Sequence, residues 1–117
     1  MKKYLVILLA LSSLLLIGCD KNGTDSVREI VVSGTEFSFT PDVIELEEFE
    51  KVNITFKNDG EMPHSFFIKR FAIGTEVLEP GEEETIEFEA PEKGEYKVIC
   101  TVAGHEQEGM EGMIIVK

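Results

Sequence analysis

Two cysteines, two histidines and eleven basic side chains are all that this 117-residue chain has of those types, and each scarcity excludes something. Eleven Lys and Arg stand against 23 Asp and Glu, a formal charge of −12. Nucleic acid needs a basic footprint, so it is excluded as a partner. An electrostatic grip on anionic lipid is excluded for the same reason. The one long apolar run, Leu5 to Ile17, is broken by Ser12 and Ser13 and falls short of the ~20 residues of a membrane span. From Arg28 onward there is no long helical stripe, no internal repeat and no low-complexity segment. No Ser-His-Asp set, phosphate loop or paired-carboxylate motif rises above chance in so acidic a chain. The length suits one domain.

What is present begins at the N-terminus. Met1-Lys2-Lys3-Tyr4 is a short basic head, and the apolar run behind it is of signal-peptide length. It closes on Leu16-Ile17-Gly18-Cys19, which resembles the bacterial lipobox. That resemblance implies cleavage before Cys19 and a diacylglycerol on its sulfur. Residues 1–18 then form a lipoprotein signal peptide, 19–27 a polar, flexible tether and 28–117 the folded domain. Loss of Lys2 and Lys3 leaves 9 basic against 23 acidic groups, a charge of 9 − 23 = −14. The membrane hold is expected to be the lipid itself, on the outer face of the cytoplasmic membrane. Asp20 after the Cys favours retention at the inner membrane in double-membraned bacteria. With Cys19 lipidated no internal disulfide is possible, and Cys100 is a lone thiol in an oxidising compartment. A lone thiol there needs a reason, and a metal is one.

Alternation of period two predicts the strands. Ile30 to Val32 starts the first. Phe37 and Phe39 oppose Glu36 and Ser38. Val52, Ile54 and Phe56 share a face, as do Ile86 and Phe88, and then Tyr96, Val98 and Cys100; Met113 to Val116 closes the chain. Asn58-Asp59-Gly60, Glu79-Pro80-Gly81, Ala90-Pro91 and Lys93-Gly94 mark turns. Glu82-Glu83-Glu84 reads as a solvated turn, and Phe66 to Leu78 as a long connection or one helical turn. Short strands with one inward face each predict an all-β, antiparallel sandwich.

The chemistry concentrates in Cys100 to Met110, which reads Cys-x4-His-x4-Met with His105 at its centre. The other histidine, His64, follows Asn58-Asp59-Gly60-Glu61-Met62-Pro63. A thiolate, two imidazoles and a thioether form the His2Cys set with axial Met that suits blue-copper electron transfer. Met113 falls on the last strand and is expected to pack; Met62 lines the site as packing more than as ligand.

Tyr96-Lys97-Val98-Ile99-Cys100, then Gly104-His105 and Gly109-Met110-Glu111-Gly112, resembles the copper loop of the cupredoxin family, and Asn58 to Phe66 is similar to that family's first-histidine segment. The resemblance spans roughly Glu36 to Lys117. It implies a Greek-key sandwich and one copper ion, cycling between Cu(I) and Cu(II), on His64, Cys100, His105 and Met110. It also implies that Asn58 ties the two ligand loops together. A copper oxidase or nitrite-reductase-like enzyme needs more imidazoles than two, so no enzymatic role is expected. The dinuclear centre of cytochrome oxidase subunit II needs a second Cys in the loop, and none is there. Structural zinc sites seldom accept a thioether. Two functions stay open: a membrane-anchored extracytoplasmic electron carrier, monomeric and docking on a redox protein with a basic surface, or a protein that stores or delivers copper. Electrons are expected to pass through His105, with Glu106, Glu108 and Glu111 guiding the partner. The acidity also has a plainer reading as solubility.

Overall fold

The computed structural model describes residues 26–117. The signal-peptide, lipidation and tether expectations, Cys19 included, lie outside the described residues apart from Ser26 and Val27. Nine strands follow in order: β1 (Arg28–Thr35), β2 (Ser38–Thr40), β3 (Val43–Leu46), β4 (Lys51–Asn58), β5 (Phe67–Ile68), β6 (Ile73–Gly74), β7 (Glu83–Glu89), β8 (Gly94–Ile99) and β9 (Glu111–Val116). They form one sheet of order β2-β1-β4-β7 and a second of order β3-β9-β8-β5-β6.

The alternation read from the sequence becomes the two inner faces. Val52, Ile54 and Phe56 of β4 are at most 1 % exposed, while Lys51, Asn53, Thr55 and Lys57 between them are not buried. Val32, Phe39, Ile86 and Phe88 join them from the first sheet. Ile44, Leu46, Ile68, Val98, Ile114 and Val116 meet them from the second. Each such side chain contributes about 1.5–3 kcal/mol by leaving water. Phe39, Phe56 and Phe66 form a triad, with ring centroids 5.6 to 6.1 Å apart.

The sandwich is as expected, but its sheets are mixed. β1 pairs parallel with β4, and β3 parallel with β9; the other pairings are antiparallel. Alternation reports which face a strand buries and says nothing of its neighbour's direction. The chain leaves β1 through β2, crosses to the other sheet as β3 and returns as β4, which makes both parallel pairs.

Two local readings are corrected. Phe66 to Leu78 holds no helical turn: β5 and β6 pair as a short hairpin, and His64 bridges Leu78. Only the first residue of Glu82-Glu83-Glu84 belongs to a turn, since Glu83 opens β7 opposite Lys57. Glu82 N–H bonds Glu79 O at 3.0 Å, and Gly81 takes φ 87° in that turn. Register places the ends of β1 and β4 together in one sheet and the end of β8 beside the start of β9 in the other. Ser65, bonded to Thr101, brings these ends to one side. The histidine loop and the Cys–His–Met loop therefore leave the same end of the sandwich.

Candidate metal centre

His64 lies six residues beyond the end of β4, and its backbone N–H and C=O are both bonded to Leu78, at 3.1 and 2.8 Å. Cys100 directly follows β8, its N–H bonded to Met110 O at 3.2 Å. Between them the loop coils on itself. His105 N–H bonds Val102 O at 3.1 Å, and Met110 N–H bonds His105 O at 3.0 Å. Gly104 and Gly109 take φ 86° and 96° with open space beside them, so they make the turns that bring His105 and Met110 back over the sheet. Gly112 has a different reason: a Cβ there would lie 2.6 Å from Asp42 O.

The structure brings His64, Cys100 and His105 of the predicted site together. Ligand atoms of His64, Cys100 and His105 all lie within 4.8 Å of one another. His64 Nδ1 is 3.1 Å from His105 Nδ1, which is 3.5 Å from Cys100 Sγ. All three side chains are buried, His64 at 0 %, Cys100 at 1 % and His105 at 4 % exposure. Met110 is also fully buried, and its Cε lies 3.4 Å from where a Cβ at Gly34 would be. Met113 lies between inward Gly112 and Ile114 and so faces the outside of β9. Met62 is 40 % exposed.

Burial pushes the His105 imidazole below its ordinary pKa, and the adjacent His64 adds to the effect. Glu36, in the connection between β1 and β2, places Oε1 2.9 Å from His64 Nε2. That contact first, and then the Met62 N–H, hold the Glu36 carboxyl down at about 2. Phe37 packs its ring edge-on against His105, centroids 5.0 Å apart at 73°. No motif in the sequence marks either of these neighbours of the imidazoles.

The expected role of Asn58 is corrected. It is 1 % exposed, donates Nδ2 to Met62 O and Leu78 O at 2.8 and 2.9 Å, and accepts from Gly60 N–H at 3.0 Å. It ties the His64 loop to the segment before β7 and makes no hydrogen bond to the Cys100 loop. Ser65 ties the two ligand loops. Its Oγ accepts from Thr101 N–H at 2.9 Å and meets Thr101 Oγ1 at 2.7 Å, and its N–H points at Cys100 Sγ at 3.5 Å. The expected acidic rim is partly neutralised. Glu106 contacts Lys69 and Lys97, and Glu111 contacts Lys97 at 2.6 Å. Lys69 lowers the Glu106 pKa and Glu111 raises that of Lys97. Glu108 makes no ion pair among the described residues.

One soft sulfur and two imidazole nitrogens, buried together at a loop that also buries Met110, fit a single copper ion of the blue type. A two-sheet sandwich that gathers such a set at one end defines a cupredoxin-type protein. The chain belongs to the Cupredoxin-like domain family, whose profile matches residues 5–116. It is 32 % identical over 90 residues to cytochrome c oxidase subunit 2 of Thermus thermophilus; the match covers 75 % of this chain and 64 % of that one. The chain thus spans somewhat under two thirds of the length of that curated relative. Among solved structures it superposes on dithionite-reduced auracyanin of Roseiflexus castenholzii with TM-score 0.70 and 23 % identity, covering 76 % of this chain and 96 % of the other. Auracyanin A of Chloroflexus aurantiacus, a "blue" copper protein, gives TM-score 0.67 at 21 % identity, covering 76 % and 98 %. At these identities the two structures share the fold.

Proposed function

We propose that this protein is a single-copper electron carrier. His64 Nδ1, Cys100 Sγ and His105 Nδ1 would be its principal ligands, and Met110 would add a weak thioether. The observation that carries the reading is the convergence of two imidazoles and a lone thiol in a buried, hydrogen-bonded setting. Copper supplies the one-electron Cu(I)/Cu(II) couple when bound. The chain's own part is to hold the donors in place. Ser65 fixes one ligand loop to the other and aims its N–H at Sγ, a contact that tunes the potential. His105 is the more exposed imidazole, so electrons enter and leave at its edge. The one cysteine of the loop leaves no thiolate for a second copper. Kinship to a cytochrome c oxidase subunit supports a redox setting, with a redox protein as partner. Lipid on Cys19 would keep the carrier at the outer face of the cytoplasmic membrane.

The test is the visible spectrum of the copper-loaded protein, followed by its redox cycle. Intense blue or green absorption that bleaches and returns reversibly, with copper retained, is expected. Ready loss of copper to a chelator in the reduced state would replace this reading with storage or delivery. The mass of the mature protein tests the anchor: an unmodified N-terminus, free in solution, would overturn it.

A further inference from the structure

The geometry points to Glu36 as a positioning residue that fixes the tautomer of His64 and adds negative charge behind the copper site. The proposal rests on His64 as a ligand, as read above. An ionised carboxylate only accepts hydrogen bonds. Oε1 lies 2.9 Å from His64 Nε2, so Nε2 carries a proton, and in the neutral ring Nδ1 keeps its lone pair. That lone pair faces His105 Nδ1 and the thiol, where a metal would sit. Two lone pairs 3.1 Å apart would repel, so with His64 neutral the hydrogen between them sits on His105 Nδ1. The tautomers of both rings thus follow from one carboxylate.

The surroundings are built for this contact. The same Oε1 accepts from Glu61 N–H and Met62 N–H, both at 2.8 Å, which locks the carboxylate in place. Gly60 supplies the room: a Cβ there would lie 2.4 Å from Oε1 and 2.9 Å from His64 Nε2. Phe37, the next residue, packs on His105. A two-residue connection between β1 and β2 therefore holds both imidazoles. Partners behind a metal-bound histidine raise its basicity, and losing one typically costs about 10–100-fold in metal affinity or activity. Extra negative charge favours Cu(II) over Cu(I), so Glu36 lowers the reduction potential.

Two measurements test this. Nitrogen-15 NMR of the metal-free protein at neutral pH should show His64 as the Nε2–H form and His105 as the Nδ1–H form. Glu36→Gln keeps an acceptor for all three donors and removes the charge. It should leave the visible band in place and change the Cu(II)-to-Cu(I) affinity ratio about tenfold, which for one electron is a rise of about 59 mV. Gly60→Ala should displace the carboxylate and raise the potential in the same direction. A wild-type His64 that is Nδ1–H or doubly protonated, or a Glu36→Gln potential equal to wild type, would overturn the proposal. Because the NMR needs no metal, it decides the role of Glu36 even if the copper reading itself fails for want of a coloured complex.

Discussion

Where β1, β4 and β8 finish, the sandwich buries Asn58, His64, Ser65 and His105; where β3 and β9 finish, its ion pairs are the surface pairs Arg28–Glu50 and Lys117–Glu45. Burying a polar group without a partner costs about 1–3 kcal/mol in proteins. At the first end that cost is offset group by group, since every buried side-chain N or O among the described residues has a hydrogen-bond partner. The far end avoids the cost by staying wet, and pairs of that kind contribute about 0–1 kcal/mol. One end is therefore over-determined and intolerant of change, as a preorganised metal site requires. The other has slack.

The sharpest way to break the contrast is Cys100→Ser. The thiol is 1 % exposed and lies within reach of both imidazoles. A hydroxyl is a poor ligand for copper, so the visible absorption should vanish altogether, while circular dichroism should keep the sheet signal. A variant that retained its colour would remove Cys100 from the ligand set.

Next in size is Asn58→Ala, which probes the polar end without touching a ligand. It strips partners from Met62 O, Leu78 O and Gly60 N–H at a site 1 % exposed. The loss should be about 3 kcal/mol, in the range of a few hydrogen bonds with groups left unpaired. Urea unfolding of the metal-free protein measures it. A loss below about 1 kcal/mol would mean that water replaces the side chain and that this end is less closed than it looks.

Much of the polar end could be read from the sequence, and what could not has a physical cause. Cys100, His105 and Met110 sit in one eleven-residue stretch, so spacing alone placed them on one loop. β1, β4, β7, β8 and β9 have six to eight residues and enough alternation to be seen. β3 has four residues and β5 and β6 two each, too few for a period to register. Glu36 is one carboxylate among 23 acidic residues, 28 positions from the ring it holds. Nothing local sets it apart. The family resemblance implies Asn58 as a tie between the ligand loops, but its partner Leu78 lies 20 residues on, across a hairpin too short for alternation to reveal.

A subtler probe is Met110→Leu beside Met113→Leu. Met110 is fully buried at the ligand end and Met113 faces outward on β9. An axial thioether is long and weak and its identity sets the potential. Met110→Leu should raise the potential with copper retained, and Met113→Leu should leave it alone. Voltammetry decides between them; the reverse pattern would move the axial assignment to Met113.

The smallest effect is expected at the far end, and it should have the opposite sign. Phe49 sits in the turn between β3 and β4 with φ 62° and is 61 % exposed. A left-handed conformation costs an ordinary L-residue about 1–2 kcal/mol, and Asn visits it far more readily than Phe. The backbone is held there from both sides: Phe49 N–H bonds Ala90 O at 3.0 Å, and Ala90 N–H bonds Glu50 O at 2.8 Å. The ring repays little of the strain, since most of it faces water. Phe49→Asn keeps the backbone bonds, relieves the strain and forfeits little burial. It should raise stability by up to about 1 kcal/mol, read as a higher urea midpoint with an unchanged slope. The copper spectrum should be unaffected, because the substitution lies at the end away from every proposed ligand. A lower midpoint would mean that the Phe49 ring carries packing its exposure conceals. The far end would then tolerate change as poorly as the metal end does.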